Sequence, residues 1–246
     1  MKNLILHIPH SSTVIPFMEG YCVSEETLNK EIVKLTDWYT DDLYENQTDT
    51  SIKASFSRIF CDTERFSDDS QEIMAQFGMG VLYEKTDSGE PLRQVTPDLR
   101  TRILNEFYWQ HHNQFTENVE IQLAQLGSAT IVDCHSFPNK PLIRALDQSL
   151  ERPDFNIGTD EFHTSQKLIE ASIEFFKEKG YSLGIDKPYT GSIVPLKYYK
   201  KDKKVQSIML EINRKLYLKE PTNEKSDEYQ ETKKITQEFL SLIRTL

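Results

Sequence analysis

The chain has 246 residues, 37% of them hydrophobic and 11% aromatic, enough to bury a core in one large α/β unit or two small ones. A formal net charge of −10 argues against nucleic acid or anionic lipid as a partner, and the basic stretch from Lys197 to Lys204 is too short and mixed to reverse it. Cys22, Cys61 and Cys134 are odd in number and lack a C-x-x-C pair, which speaks against a disulfide framework or a structural metal knot.

A first strand, roughly Leu4 to Ile8, runs into Pro9-His10-Ser11-Ser12, where small hydroxyl residues let a ligand approach the backbone. Ser24 predicts the N-cap of a helix carrying Leu28, Ile32, Leu35 and Leu43, with Glu25 and Glu26 in its first turn and Asp37 near a break in the pattern. Arg58 to Phe60 reads as a second strand, followed by a polar loop and a short hairpin around Gly78 to Gly89. Asp98 to Leu126 is the longest helical segment, closed by Gly127.

The strand Thr130 to Val132 then delivers Asp133-Cys134-His135-Ser136, a further helix covers Thr164 to Lys179, and the strand Gln206 to Ile212 leads into Asn213-Arg214. A last helix spans Glu228 to Leu246. This alternation predicts an α/β sandwich with a largely parallel or mixed sheet. With no linker composition or repeat to divide it, residues 1–246 read as one domain. No apolar run nears a bilayer span and no signal-like core stands at the N-terminus, so the expectation is a soluble, cytoplasmic protein.

Ionisable residues follow the short apolar runs at once, as where open α/β sheets present chemistry at the carboxyl ends of their strands. His10 sits in a polar loop after a proline. Asp133 and His135 are two apart, so in an extended segment they share a face and the carboxylate could orient the imidazole or help hold its metal. Two histidines and a carboxylate from separate strands can converge on one divalent ion. Glu211, inside Ile208-Met209-Leu210-Glu211-Ile212, is the carboxylate most expected to be buried, with a raised pKa that suits a general base. Its structural alternative is an ion pair with Arg214.

Arg58 and Arg65, seven apart, could divide the work of polarising a carbonyl and forking a substrate carboxylate. Surface pairing with Asp62, Asp68 or Asp69 is the alternative for both. His7 and His111 read as structural, and His112 as more open to a substrate role.

Pro9-His10-Ser11, Thr36-Asp37-Trp38-Tyr39-Thr40-Asp41-Asp42-Leu43-Tyr44, Ser57-Arg58 with Asp62-Thr63-Glu64-Arg65, Asp133-Cys134-His135-Ser136, Pro153-Asp154-Phe155, and Leu210-Glu211-Ile212-Asn213-Arg214-Lys215-Leu216-Tyr217 together resemble the N-formylglutamate amidohydrolase family. The resemblance spans most of the chain in order. It implies a branch of the zinc carboxypeptidase and aspartoacylase architecture: a mixed sheet between helices, a zinc ion and a water it activates. It further implies His10 and His135 as metal ligands, Glu211 as general base, Arg58 as the carbonyl-polarising group and Arg65 as the substrate-carboxylate arginine. Ser11, Arg214 and His112 complete the expected substrate-binding set.

Carboxypeptidase relatives use His-x-x-Glu for the first two ligands. Here the third residue after His10 is Thr13, so the carboxylate ligand comes from elsewhere, Asp37 first, with Glu64 and Asp133 as alternatives. Relatives commonly carry Asn where Glu64 stands, and an added negative charge beside Arg65 weakens its hold on an acid. The expected reaction is amide hydrolysis of a small acidic N-acyl amino acid, N-formylglutamate giving formate and glutamate. The alternatives are a carboxypeptidase-like peptidase or deacylase acting on another acyl group, and a metal-free protein that binds a small acidic ligand.

Overall fold

The computed structural model describes residues 3–246. Its centre is one six-stranded sheet in the order β2-β1-β3-β6-β4-β5, formed by β1 (Ile5–Ile8), β2 (Thr50–Lys53), β3 (Ala129–Phe137), β4 (Phe155–Gly158), β5 (Leu183–Ile185) and β6 (Val205–Asn213). β1, β2, β3 and β6 run parallel to one another. β4 is antiparallel to β6 and parallel to β5, which makes the sheet mixed. The helices are α1 (Glu25–Leu35), α2 (Thr40–Tyr44), α3 (Pro97–Ile103), α4 (Trp109–Leu126), α5 (Gln166–Lys179) and α6 (Tyr229–Ile243).

Strand side chains alternate between the two faces, and this alternation positions the site. Leu4, Leu6, Ile8, Val132, Cys134, Ile208, Leu210 and Ile212 face α2, α5 and α6 in one apolar cluster. Ile5, Ile131, Ala129 and Val205 face the other way, onto Phe115 and Val119 of α4. Further along that second face the residues turn polar: His7 pairs in register with Asp133, and His135 with Glu211. The carboxyl half of the parallel sheet therefore carries four buried ionisable groups on one side, under α4.

Several boundaries differ from the sequence reading. Arg58 to Phe60 is a turn and not a strand; the strand in this region is β2, on the sheet edge. The long helical segment is α3 and α4 joined through a π-helical stretch, Leu104–Tyr108, and Gly127 caps α4 in the left-handed conformation that favours glycine. Asp133 and His135 lie within β3 and not beyond its end. Gly78 to Gly89 holds only isolated antiparallel bridges, Met79 with Tyr83 and Lys85 with Pro91. Ser24 caps α1 as expected, its side chain accepting from the Thr27 amide. Among the described residues, no helix is long and apolar enough to cross a membrane.

Candidate metal centre and active site

Three side chains from separate elements meet at the carboxyl end of the parallel strands. His10 follows β1, Asp37 lies in the break between α1 and α2, and His135 is in β3. Their ligand atoms all lie within 4.8 Å of one another, and all three residues are buried. Asp37 Oδ2 is 3.5 Å from His10 Nδ1 and 3.2 Å from His135 Nδ1. Two donors each about 2.1 Å from an ion at a tetrahedral angle stand about 3.4 Å apart, so this spacing fits a zinc-sized cation.

The far side of each imidazole is held by its own buried carboxylate. His10 Nε2 is 2.8 Å from Asp62 Oδ1, and His135 Nε2 is 3.0 Å from Asp133 Oδ1. A carboxylate that accepts from one ring nitrogen leaves the other as a lone-pair donor, which is how protein metal sites fix the histidine tautomer. His10 Nδ1 is buried with no hydrogen-bond partner, an orphan that a cation would satisfy. Burial works against ionising Asp37, yet the two histidines and Arg214 hold it well below the usual carboxylate range.

Glu211 lies beside His135 across the β3–β6 ladder. It is 6% exposed and its Oε2 has no hydrogen-bond partner. Burial pushes its pKa up to about 8, opposed by His135 and reinforced by Asp37. The ion pair with Arg214 weighed from the sequence does not form. Arg214 instead donates Nη2 to Asp37 Oδ1 at 3.0 Å and Nη1 to the Lys34 carbonyl at 2.9 Å, so it positions Asp37 from behind.

Asp62, weighed from the sequence only as a surface partner of Arg58 and Arg65, has a larger role. Besides His10 it accepts from Arg58 Nη2 at 3.0 Å and from the Tyr83 hydroxyl at 2.8 Å, and Arg65 Nε stands 3.6 Å away. One fully buried carboxylate thus anchors an imidazole, two guanidinium groups and a phenol. Burial opposes its charge, but Arg58, His10 and Arg65 hold its pKa well below the ordinary value.

Glu64 turns away from Arg65 toward His7, where Oε1 comes within 3.0 Å of Nδ1 while the Nδ1 hydrogen bond itself goes to Asp133 at 3.0 Å. Burial would neutralise His7, but Asp133 and Glu64 outweigh it and raise its pKa to about 9. The doubly protonated ring then donates Nε2–H to His111 Nε2 at 2.8 Å. His111 is held neutral by burial and by the His7 charge. His7 and His111, read as structural, are therefore linked to His135 through Asp133. His7, Glu64 and Asp133 also form a second group with ligand atoms within 4.8 Å.

A cavity of about 930 Å³ opens over this floor, lined among others by His10, Asp37, Arg58, Arg65, His112, His135, Glu211 and Arg214. Ser11, expected at the substrate, lies outside that lining. His112 lines the cavity with Nε2 on the Thr63 carbonyl at 3.0 Å, and burial lowers its pKa to about 4. Its ring nitrogen braces the loop that carries Glu64 and Arg65.

The crystal structure of an N-formylglutamate amidohydrolase from Ralstonia eutropha has a similar fold, with a TM-score of 0.86 at 24% identity over 100% of this chain and 94% of that one. A gene product from Agrobacterium tumefaciens is more distant, with a TM-score of 0.67 at 15% identity over 98% of this chain and 91% of that one. No curated protein matches the chain in sequence. Residues 2–218 match the sequence model described as N-formylglutamate amidohydrolase, a span that takes in every residue of the centre described above. The chain belongs to the N-formylglutamate amidohydrolase family.

Proposed function

We propose that the protein is a metal-dependent amidohydrolase, one domain over residues 1–246, that hydrolyses small N-acyl, chiefly N-formyl, amino acids. The observation that carries this reading is the meeting of two clamped imidazoles and Asp37 with a buried, unpartnered glutamate that lies opposite one of them, His135, in the sheet. The family's substrate, N-formylglutamate, would yield formate and glutamate.

His10, Asp37 and His135 would hold a divalent ion, zinc by the N/N/O donor set. Such an ion lowers the pKa of water and polarises an acyl oxygen. Glu211 would take a proton from the attacking water. Its raised pKa also lets it return that proton to the departing amine, so one group serves both transfers. Arg58, fixed by Asp62 and the Tyr83 hydroxyl, would stabilise the charge that develops on the acyl oxygen. Arg65, whose Nε is buried without a hydrogen-bond partner, is the group left to receive a substrate carboxylate.

The test is metal analysis of the purified protein together with release of free amino acid from a panel of N-acyl amino acids, with and without chelator. Stoichiometric metal and chelator-sensitive release support the reading. A metal-free protein that binds but does not cleave these compounds would instead be a small-ligand sensor.

A further inference from the structure

Beside the first centre, His7, Glu64 and Asp133 bring a second set of three ligand atoms within 4.8 Å of one another. His7 and Asp133, both buried, pair in register on β1 and β3. Glu64 comes over them from the loop that His112 braces through the Thr63 carbonyl. Glu64 and Asp133 both line the cavity, so an ion in solution can reach the group from there.

Hydrogen bonding does not satisfy this group. Glu64 Oε1 and Asp133 Oδ1 each stand 3.0 Å from His7 Nδ1. That nitrogen carries at most one hydrogen, and Asp133 accepts it. Glu64 Oε1 is left buried without a hydrogen-bond partner. A proton serves one acceptor here, whereas a cation in its place meets both carboxylates and the ring nitrogen at once. The donors are also held for it. The Ile193 amide donates to Asp133 Oδ2, and His7 Nε2 faces His111 Nε2 at 2.8 Å, an outward anchor of the kind that orients metal-bound imidazoles. Two carboxylates and a neutral imidazole match the charge of a divalent ion.

The spacing selects the ion. Two donors about 2.1 Å from an ion and at right angles stand about 3.0 Å apart, as in an octahedral shell. The wider 3.2 and 3.5 Å separations of the first centre fit tetrahedral zinc instead. An octahedral ion that accepts two carboxylates and one imidazole is best represented by Mn²⁺.

We propose that His7, Glu64 and Asp133 form a second divalent-cation site, suited to an octahedral ion such as Mn²⁺, next to the His10–Asp37–His135 centre. The ion takes the place of the Nδ1 proton of His7, which is released to solvent. Against the effect of burial, Asp133 and Glu64 raise the His7 pKa to about 9, so at neutral pH the ion competes with a proton and enters only when Mn²⁺ is supplied.

The experiment titrates protein loaded with one equivalent of zinc with Mn²⁺ at mildly alkaline pH. Electron paramagnetic resonance counts free and bound Mn²⁺, and elemental analysis follows the zinc. Expected is one Mn²⁺ per chain, bound at sub-millimolar concentration with the zinc retained. Glu64→Gln, at a partly exposed position, should weaken Mn²⁺ binding tenfold or more and keep the zinc. His10→Ala, which removes the first centre, should leave Mn²⁺ binding unchanged. No Mn²⁺ beyond the zinc, Mn²⁺ that enters only as zinc leaves, equal affinity in wild type and Glu64→Gln, or loss of Mn²⁺ binding in His10→Ala overturns the proposal. No outcome is read from catalysis, so Mn²⁺ held through Glu64 leaves this site standing even where the amidohydrolase reading fails.

Discussion

Replacing Glu211 with Gln tests the site through two independent observables. Gln is the neutral isostere of a protonated glutamate, so the variant freezes the carboxyl in the form that burial favours. In the unfolded chain this carboxyl titrates near 4.5, and in the folded protein near 8, chiefly because of burial. Between those values the unfolded state has released a proton that the folded state retains. The folded state binds more protons, so stability falls as pH rises through that window and levels off above it. Below about pH 4.5 both states are protonated and the residue contributes nothing.

The displacement from 4.5 to about 8, at about 1.4 kcal/mol per pH unit, is on the order of 5 kcal/mol. His7 titrates in the same direction, since a raised histidine pKa stabilises the fold below 6.5 and loses that contribution as pH rises through about 9. It is present in both proteins, so it cancels in the difference. Urea unfolding of chelator-treated wild type and Glu211→Gln from pH 4 to 9 gives that difference directly. The curves should coincide near pH 4 and diverge in favour of the variant up to about pH 8. Parallel curves would mean that Glu211 is ionised throughout and refute the buried-acid assignment. With metal restored, the same variant should keep its metal and its substrate affinity and lose about a hundredfold or more in turnover.

His10→Ala and His135→Ala should each lose the metal while far-UV circular dichroism stays unchanged; stoichiometric metal in both variants would mean the centre is misplaced. Asp62→Asn leaves the Arg58 guanidinium without its counter-ion and Arg65 with Glu72 alone, 3.8 Å away, and should cost about 3–5 kcal/mol in urea unfolding. It should also weaken metal affinity by about 10- to 100-fold through the loosened His10 ring. A loss under about 1 kcal/mol with unchanged metal affinity would show that Asp62 is not the hub the contacts describe. Arg65→Ala should raise KM far more than it changes kcat. Glu64→Asn should lower the His7 pKa, read by NMR titration of the ring, and leave N-formylglutamate binding little changed, since Glu64 faces His7 and not Arg65; joint loss of metal and activity would instead make Glu64 a ligand in place of Asp37.

The parts of the fold legible in the sequence are those where burial is two-sided. β1, β3 and β6 lie inside the sheet and each carries a short apolar run, so an ionisable residue in or just after that run stands out. β2 sits at the edge, and in Thr50-Ser51-Ile52-Lys53 only Ile52 is buried, which leaves no periodic signal. The nearby Arg58-Ile59-Phe60 has the apolar residues of a strand, but they fill a turn, since a short apolar run does not fix its own backbone. β4 and β5 are interrupted by Asn156 and Gly184. Asn156 spends its amide on the Tyr189 carbonyl, and a Cβ at Gly184 would fall 2.1 Å from the Lys187 carbonyl oxygen. Both residues answer a loop about thirty or fewer positions away, and nothing adjacent to them announces it.

The site divides along the same line. His10, His135 and Glu211 are each marked by a local contrast between an apolar run and a charge, and Asp37 by a break in helical spacing. Asp62 follows the apolar Ile59-Phe60-Cys61 in the same way, but that contrast does not say what the carboxylate holds. Its role exists only because His10 and Tyr83, from two distant segments, join Arg58 and Arg65 on one carboxylate, and such convergence leaves no spacing to read. His7 is similar, since its partner Asp133 lies 126 positions away and faces it only because β1 and β3 are neighbours.

The division of labour proposed for Asp37 and Glu211 follows from what surrounds them and not from what they are. Both are buried carboxylates, and burial alone would keep both protonated. Asp37 meets His10, His135 and Arg214, and these hold it ionised and ready to serve a cation. Glu211 shares the neighbourhood of His135 and Arg214 but receives a hydrogen bond from neither at Oε2, so burial prevails and its pKa rises to about 8. Environments that push two neighbouring acids in opposite directions assign their roles. The lowered one is a fixed charge, and the raised one can carry a proton back and forth near neutral pH. Arg214 sets this split by its choice of partner: bonded to Asp37, it leaves Glu211 without a counter-ion, whereas the Arg214–Glu211 pair considered from the sequence would have ionised the base and left Asp37 to the histidines alone.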